Sequence, residues 1–324
     1  MNRLATLRTG RDIRNALGDM PETLNESYAE IIQRIPKSDH TIASRTLMWL
    51  CFSIRPLTLS ELAEAAVLRE SDRTLDEDCR LSRPEILFDI CQGLINFEND
   101  ELKLAHDSIR SFLTSEWIRD SPVATFALEP SSSHKAIMRN CITYVSFQEF
   151  SDGPVSSSHL LRKRFATHPL LEYAATFWPV HAEARMLDAM DEQLILSFFA
   201  TKNPRTGGSF ASWVQFLIGT LDNEVIMQTE PLYYAASYDM VSILKILLNP
   251  RLGVKLDQRG GRFQSTPLFV ACWRGNTNAA KLLVEAGADP YARDPSCYTC
   301  RGMAEAKDMK EVIDLMEKRR KRRH

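Results

Sequence analysis

No apolar run in this chain exceeds about eight residues, the longest lying around Leu194 to Ala200, whereas a bilayer-spanning helix needs roughly 20. Glycine is scarce, at 13 of 324 residues, which excludes a collagen-like chain. Cysteine is limited to seven residues spread from Cys51 to Cys300. An odd count in a chain this long is not a disulfide framework. With no secretory apolar segment, it fits a reducing compartment, so an intracellular protein, nuclear or cytoplasmic, is expected. Net charge is nearly absent, since 40 basic and 42 acidic residues leave −2; no global basic field draws the chain to nucleic acid. The common catalytic signatures are missing too. There is no G-x-x-x-x-G-K-[ST], G-x-S-x-G, H-E-x-x-H or G-x-G-x-x-G, and Gly207-Gly208 lacks the lysine of a phosphate-binding loop. No catalytic residue, metal or cofactor is assigned, and a non-enzyme is expected.

What is present is an ordinary globular composition, 44% hydrophobic and 25% charged, which excludes a disordered chain. Four blocks follow from breaks in pattern: a basic helix at 1–20, a periodic apolar region at 21–118, a helical connector at 119–227, and a repetitive block at 228–324. The start, MNRLATLRTGRDIR, has no acid before Asp12. A mitochondrial transit helix looks like this, although the resemblance below explains the segment better.

The second block reads as helices and then a hairpin. Leu24, Tyr28, Ile31, Ile32 and Ile35 form one apolar stripe ended by Pro36, and Ile42, Leu47, Leu50 and Cys51 form a second. Thr58 with Glu61, and Ser82 with Glu85, have capping-box spacing, predicting helices that begin near Leu59 and Arg83. LINF and ELKLAH alternate across Glu98-Asn99-Asp100 as a short hairpin, and a last helix holds Ile109, Phe112, Leu113 and Trp117. Helices with a two-stranded wing predict a winged-helix domain. The helix that would enter a DNA groove, PEILFDIC, carries Glu85 and Asp89 among apolar residues, the wrong chemistry for phosphates. Packing against protein, without sequence-specific nucleic-acid binding, is expected.

The last block repeats itself. Thr266-Pro267-Leu268-Phe269 with Ala271 matches the ankyrin signature T-P-L-H-x-A, with Phe for His. An earlier copy, Glu230-Pro231-Leu232-Tyr233 with Ala235, is offset by 267 − 231 = 36 residues. That is 33 plus three inserted near Asn249 to Gly253. A later copy places Thr299 and Ala304 33 residues after Thr266 and Ala271. Thr266 is placed to cap a helix, Pro267 to open it and Gly287 to end the second helix of its repeat. Leu282 and Leu283 are expected in the layer shared with the next repeat, where Val312, Ile313 and Leu315 fall in phase. The predicted fold class is mainly α, with a winged-helix domain, a helical connector and a short ankyrin solenoid.

LGDMPETLNESYAEIIQRIP, LMWLCFSIRPLTLSELAEA, LAHDSIRSFL, HPLLEYAATFWPVHA and PLYYAAS together resemble the region that follows the nucleotide-binding domain in fungal NACHT–ankyrin proteins. The resemblance covers nearly the whole chain, and it implies that residues 1–20 match the last helix of an ATPase domain. It also implies that the winged helix contacts a nucleotide-binding domain, so a P-loop ATPase in another chain is the alternative partner. His106 resembles a nucleotide-sensing histidine, but no phosphate loop stands beside it in this sequence; the simpler expectation is a histidine capping the hairpin-to-helix junction.

Aligning the repeats sets Ser237 and Tyr238 level with Trp273 and Arg274, and with Ala306 and Lys307, at outward-facing positions. Tyr, Trp and Arg are favoured at the energetic centres of interfaces. Tyr238, Trp273 and Arg274, joined by Arg262 and Phe263 of the preceding finger, are the candidate partner-binding residues on the concave face; the alternative for Trp273 is a core residue. Lys318, Arg319, Arg320, Lys321, Arg322 and Arg323 form a basic run that is either a nuclear-import candidate or a solubilising helix end. Cys297 and Cys300 form a lone C-x-x-C, short of the four ligands zinc needs. No membrane partner is expected. The expected function is an adaptor or regulator that binds protein, for example a transcriptional co-regulator in a fungal secondary-metabolite gene cluster.

Overall fold

The computed structural model describes residues 23–75, 77–98, 101–184, 186–203, 205–219 and 221–323. The basic helix expected at 1–20 lies outside the described residues. The chain forms two compact units, one of residues 1–67 and 81–130, the other of 68–80 and 131–324.

The first unit is the winged helix. Helix α1 (Leu24–Gln33) opens on a complete capping box between Thr23 and Glu26. It turns through Pro36 into α2 (His40–Phe52), which buries Leu47 and Trp49. Helix α3 (Leu59–Val67) begins at the expected box, with Glu61 N donating to Thr58 Oγ1 and Thr58 N to Glu61 Oε2. Glu61 is buried there because Arg55 also grips it with two guanidinium bonds of 2.6 and 2.9 Å. The box expected at Ser82 does not form. Helix α4 (Ile86–Cys91) starts later and without a side-chain cap, since Pro84 disfavours helical torsions at Arg83.

The wing is as expected: β1 (Ile95–Glu98) pairs antiparallel with β2 (Glu101–Leu104), Ile95 opposite Leu104. Leu102 N extends the ladder to Leu57 O at 3.1 Å. The last helix divides in two, α5 (Asp107–Leu113) and α6 (Glu116–Arg119), because Ser115 caps a new start by accepting from Ile118 N. His106 is the cap of α5, its Nδ1 accepting from Ser108 N at 3.1 Å. Ser108 in turn bonds the Tyr28 hydroxyl at 2.7 Å, tying α5 to α1.

The second unit is built on aromatic packing and then on stacked helix pairs. Helices α7 (Pro130–Val145), α8 (Ser158–Thr167), α9 (Leu171–Glu183), α10 (Ala189–Phe199) and α11 (Gly208–Leu217) enclose Trp178 and Trp213, whose rings lie 5.6 Å apart. Trp213 keeps its N–H satisfied on Ala175 O, the usual arrangement for a buried indole. Arg139 on α7 bonds the fully buried Asp191 of α10 at 2.9 Å. His181 is buried between the hydroxyl of Tyr173 and the ring of His134.

After α12 (Asn223–Gln228) come the repeats: α13 (Pro231–Ser237) with α14 (Val241–Leu247), α15 (Pro267–Arg274) with α16 (Thr277–Ala286), and α17 (Cys300–Ala306) with α18 (Lys310–Arg323). The three-residue insertion is a single 3-10 turn, Pro250–Leu252, closed by Gly253 in the left-handed region. Thr266 and Thr299 cap α15 and α17, accepting from Phe269 N and Gly302 N. Gly287 closes α16 at φ 117°. The layer between repeats differs in one detail from expectation: Leu283 and Val284 are buried while Leu282 is half-exposed. The buried set 279, 280, 283, 284 is one helical face, and residue 282 sits about 100° away from Leu283. In the third copy the same phase buries Val312 and Met316, with 316 − 283 = 33. Among the described residues no helix is long and apolar enough to cross a membrane.

Candidate interaction site on the ankyrin repeats

The finger before α15 is a tight hairpin in which Gly260 and Ser265 exchange both backbone hydrogen bonds. Its tip needs Gly261. There φ is +66°, and a Cβ would lie 2.2 Å from the Tyr233 ring. Gly261 N donates to Thr229 Oγ1 at 2.7 Å, which fixes the tip against the start of the repeats. The next two residues, Arg262 and Phe263, are therefore carried outward on a rigid turn.

Phe263 reaches Trp273 at the end of α15, ring centroids 5.1 Å apart, with the Arg262 guanidinium over the Phe263 ring at 5.7 Å. Arg274 lies over the Tyr238 ring at 5.2 Å, joining α15 to the end of α13. The three rings stay substantially open to solvent: Tyr238 is 36% exposed, Phe263 39% and Trp273 42%. Trp273 is thus not a core residue. Large apolar rings held in fixed pairs yet left wet are what an interface centre requires.

Arg262, Phe263, Trp273 and Arg274 edge a cleft of about 480 Å³, whose other walls are Ile218, Leu221, Tyr233, Tyr234, Ser237, Gly261 and Val270. Burial pushes the hydroxyls of Tyr233 and Tyr234 above the usual phenol range, so both rings meet the cleft uncharged. Four of the five expected residues line this one cleft, and Tyr238 stacks on one of them. Ser237, expected to face outward, is buried. Ala306 and Lys307, its aligned partners in the third repeat, are exposed.

Sequence reasoning did not find Ile218, Leu221, Tyr233 or Tyr234. The first two precede the repeats, and the tyrosines read as ordinary apolar positions of α13. Only the insertion-corrected repeat register, which sets Tyr233 level with Phe269, hints that α13 shares a wall with α15.

The basic run is helical, and its cations do different things. Arg319 Nη1 donates to the carbonyls of Val284 and Glu285 at the end of α16. Lys318 and Arg320 are exposed, and the side chains of Lys321, Arg322 and Arg323 lie outside the described residues. Cys297 is exposed in a left-handed turn at φ 65°. Cys300 is buried beside Thr266 and Ala292 O, and burial pushes its thiol up to about 12. Of the pair, only Cys297 is open to solvent.

A family model described as GPI inositol-deacylase, winged helix domain, matches residues 32–129. Another, described as ankyrin repeats in three copies, matches 205–294. The second match opens ahead of residue 228 and so takes in α11 and α12, and it closes before the copy at Thr299. A Monascus ruber protein described as azaphilone pigments biosynthesis cluster protein L is 26% identical over 311 residues, 88% of this chain. The chain spans 63% of that relative's length. It is a mainly helical protein that joins a winged-helix domain of the GPI inositol-deacylase type to ankyrin repeats, a pairing that suggests a protein-interaction role.

Proposed function

We propose that this chain is a non-enzymatic adaptor or regulator that holds a protein partner against the ankyrin cleft, with Tyr238, Trp273, Arg274, Arg262 and Phe263 as the contact residues. The winged helix at 21–118 and the connector at 119–227 serve as its support. One observation carries the reading: Phe263 and Trp273, half-exposed and paired ring to ring, edge a single cleft with Arg262 and Arg274, and the half-exposed Tyr238 ring stacks under Arg274. The relative's description as a pigment-biosynthesis cluster protein supports placing the adaptor beside a biosynthetic gene cluster, with transcriptional co-regulation as its specific form. In that form the exposed cations of α18 serve nuclear entry.

The test is affinity capture from native extract with wild type and a Tyr238→Ala/Trp273→Ala variant whose helical content is checked by circular dichroism. A discrete partner held by the first and lost by the second is the expected result. Partners retained by both would remove the cleft from the reading. A P-loop ATPase among those retained would instead make the winged helix the working end, as in a subunit of a NACHT-type switch.

A further inference from the structure

Resting on that reading, we propose the chemistry of the occupant: the cleft takes an acidic segment of a partner protein, one apolar side chain seated on the cleft floor and flanking carboxylates on Arg262 and Arg274.

The argument starts from what the two arginines do. Arg262 lies over Phe263 and Arg274 over Tyr238. Among the described residues neither is in an ion pair with a carboxylate. A guanidinium stacked on a ring uses its face and keeps its N–H donors around the edge. Stacking also settles its rotamer before any ligand arrives, which lowers the ordering cost of binding. The two are therefore pre-set donors with nothing yet to donate to.

Asp239, next to Tyr238 in the chain, is engaged elsewhere. Asp239 Oδ1 accepts from Ala279 N at 2.9 Å and closes the start of α16. Elsewhere in the repeats several cations are already matched to acids. Arg301 holds Glu305 and Glu317, and Lys281 holds Glu311. At the cleft two cations stand beside an apolar floor and, among the described residues, without an acid.

The floor sets the second requirement. Val270, Ile218 and Leu221 are aliphatic, and the rings of Tyr233 and Tyr234 are uncharged. About 480 Å³ lies within the range of pockets that engulf a compact group, and it suits one Leu- to Trp-sized side chain with its neighbouring backbone. A wholly charged ligand would leave this floor dry and unused, and a wholly apolar one would bury both guanidinium groups without partners. Nucleic acid fits less well: two cations neutralise too few phosphates to give useful affinity in a chain of net charge −2.

The test is a display selection of random 12-residue peptides on the full chain, run in parallel on wild type, Trp273→Ala and the charge-reversed Arg262→Glu/Arg274→Glu. For wild type we expect sequences with Asp or Glu on both sides of Leu, Phe or Trp. Their synthetic versions should bind about 10-fold more weakly to the charge-reversed protein and lose affinity between 50 and 300 mM salt. The charge-reversed protein should select Lys or Arg at the flanking positions, a gain that misfolding cannot imitate. Peptides that need Trp273 yet are neutral or basic would overturn the acidic occupant while leaving the cleft as a docking site. A selection indifferent to Trp273 would remove the docking site itself. Equal binding of a single-stranded oligonucleotide that depends on the same arginines would assign the cleft to nucleic acid and overturn the proposal.

Discussion

Arg319 closes the end of a helix that is not its own: its guanidinium donates to Val284 and Glu285 carbonyls at the end of α16. A helix leaves its last carbonyls without partners, and a cation there also meets the negative end of the helix dipole. Removing this side chain should loosen the last two repeats. We expect Arg319→Ala to cost about 1 kcal/mol in urea unfolding, the range of one charge-assisted bond at a half-exposed site. The exposed Arg320→Ala should stay within about 0.5 kcal/mol. Equal losses for the two variants would show that Arg319 acts only through the net charge of the run.

His181 gives the fold a pH limit. Burial first, and the neighbouring His134 second, lower its pKa from 6.5 to about 3. A folded-state pKa below the unfolded one means that the unfolded chain takes the proton first. Stability is therefore full above about pH 6.5 and declines as pH falls toward 3. At pH 5 the loss should be about 2 kcal/mol. Asp188, also lowered, loses its contribution only as pH falls from the ordinary carboxylate value downward, so it plays no part between pH 7.5 and 5. Unfolding midpoints from pH 7.5 to 5 should fall for wild type and much less for His181→Gln; parallel curves would disprove the assignment.

Arg139 and Asp191 form a pair whose halves are unequally exposed, the acid fully buried and the base nearly so. Deleting one member of a buried pair leaves a charge without compensation. Arg139→Ala should cost about 3 kcal/mol, and Arg139→Met with Asp191→Leu should recover most of it. A double variant no better than the single one would mean that Asp191 matters through its capping of Asp188 N and not through Arg139.

Two glycines with similar torsions should behave differently. Gly253 sits at φ +59° with open space where a Cβ would go, and Gly261 sits at φ +66° with the Tyr233 ring at 2.2 Å. Gly253→Ala should cost only the left-handed strain, about 1 kcal/mol. Gly261→Ala adds a clash and should cost at least about 2 kcal/mol, with loss of peptide binding as the finger shifts. Thermal unfolding of both variants checks the contrast.

The features the sequence revealed are those whose cause is local. The Thr58–Glu61 box, the wing, the caps at Thr266 and Thr299 and the closing Gly287 each depend on a few neighbouring residues. Where the reading failed, a competing local preference had been passed over. Pro84 vetoed the Ser82 box, and Ser115 cut one helix into two. The Tyr238–Arg274 contact was approachable because the repeat period converts sequence distance into adjacency, and Phe263–Trp273 because both rings fall within one repeat. Ile218 and Leu221 were not, because they precede the copies read from residue 228 onward, and nothing in their own neighbourhood marks them as the wall of a cleft built by residues some 50 positions later.

The repeats finish one another in a fixed direction. Asn276 Nδ2 donates to the carbonyls of Ala236 and Ser237 at the end of α13, just as Arg319 does for α16. Both of these helix ends are thus sealed by a side chain synthesised about 35 to 40 residues later. During synthesis the end of α13 therefore stays open until Asn276 has been made, and the end of α16 until Arg319 has. The cleft wall that ends at Ser237 is thus completed only by a residue of the following repeat.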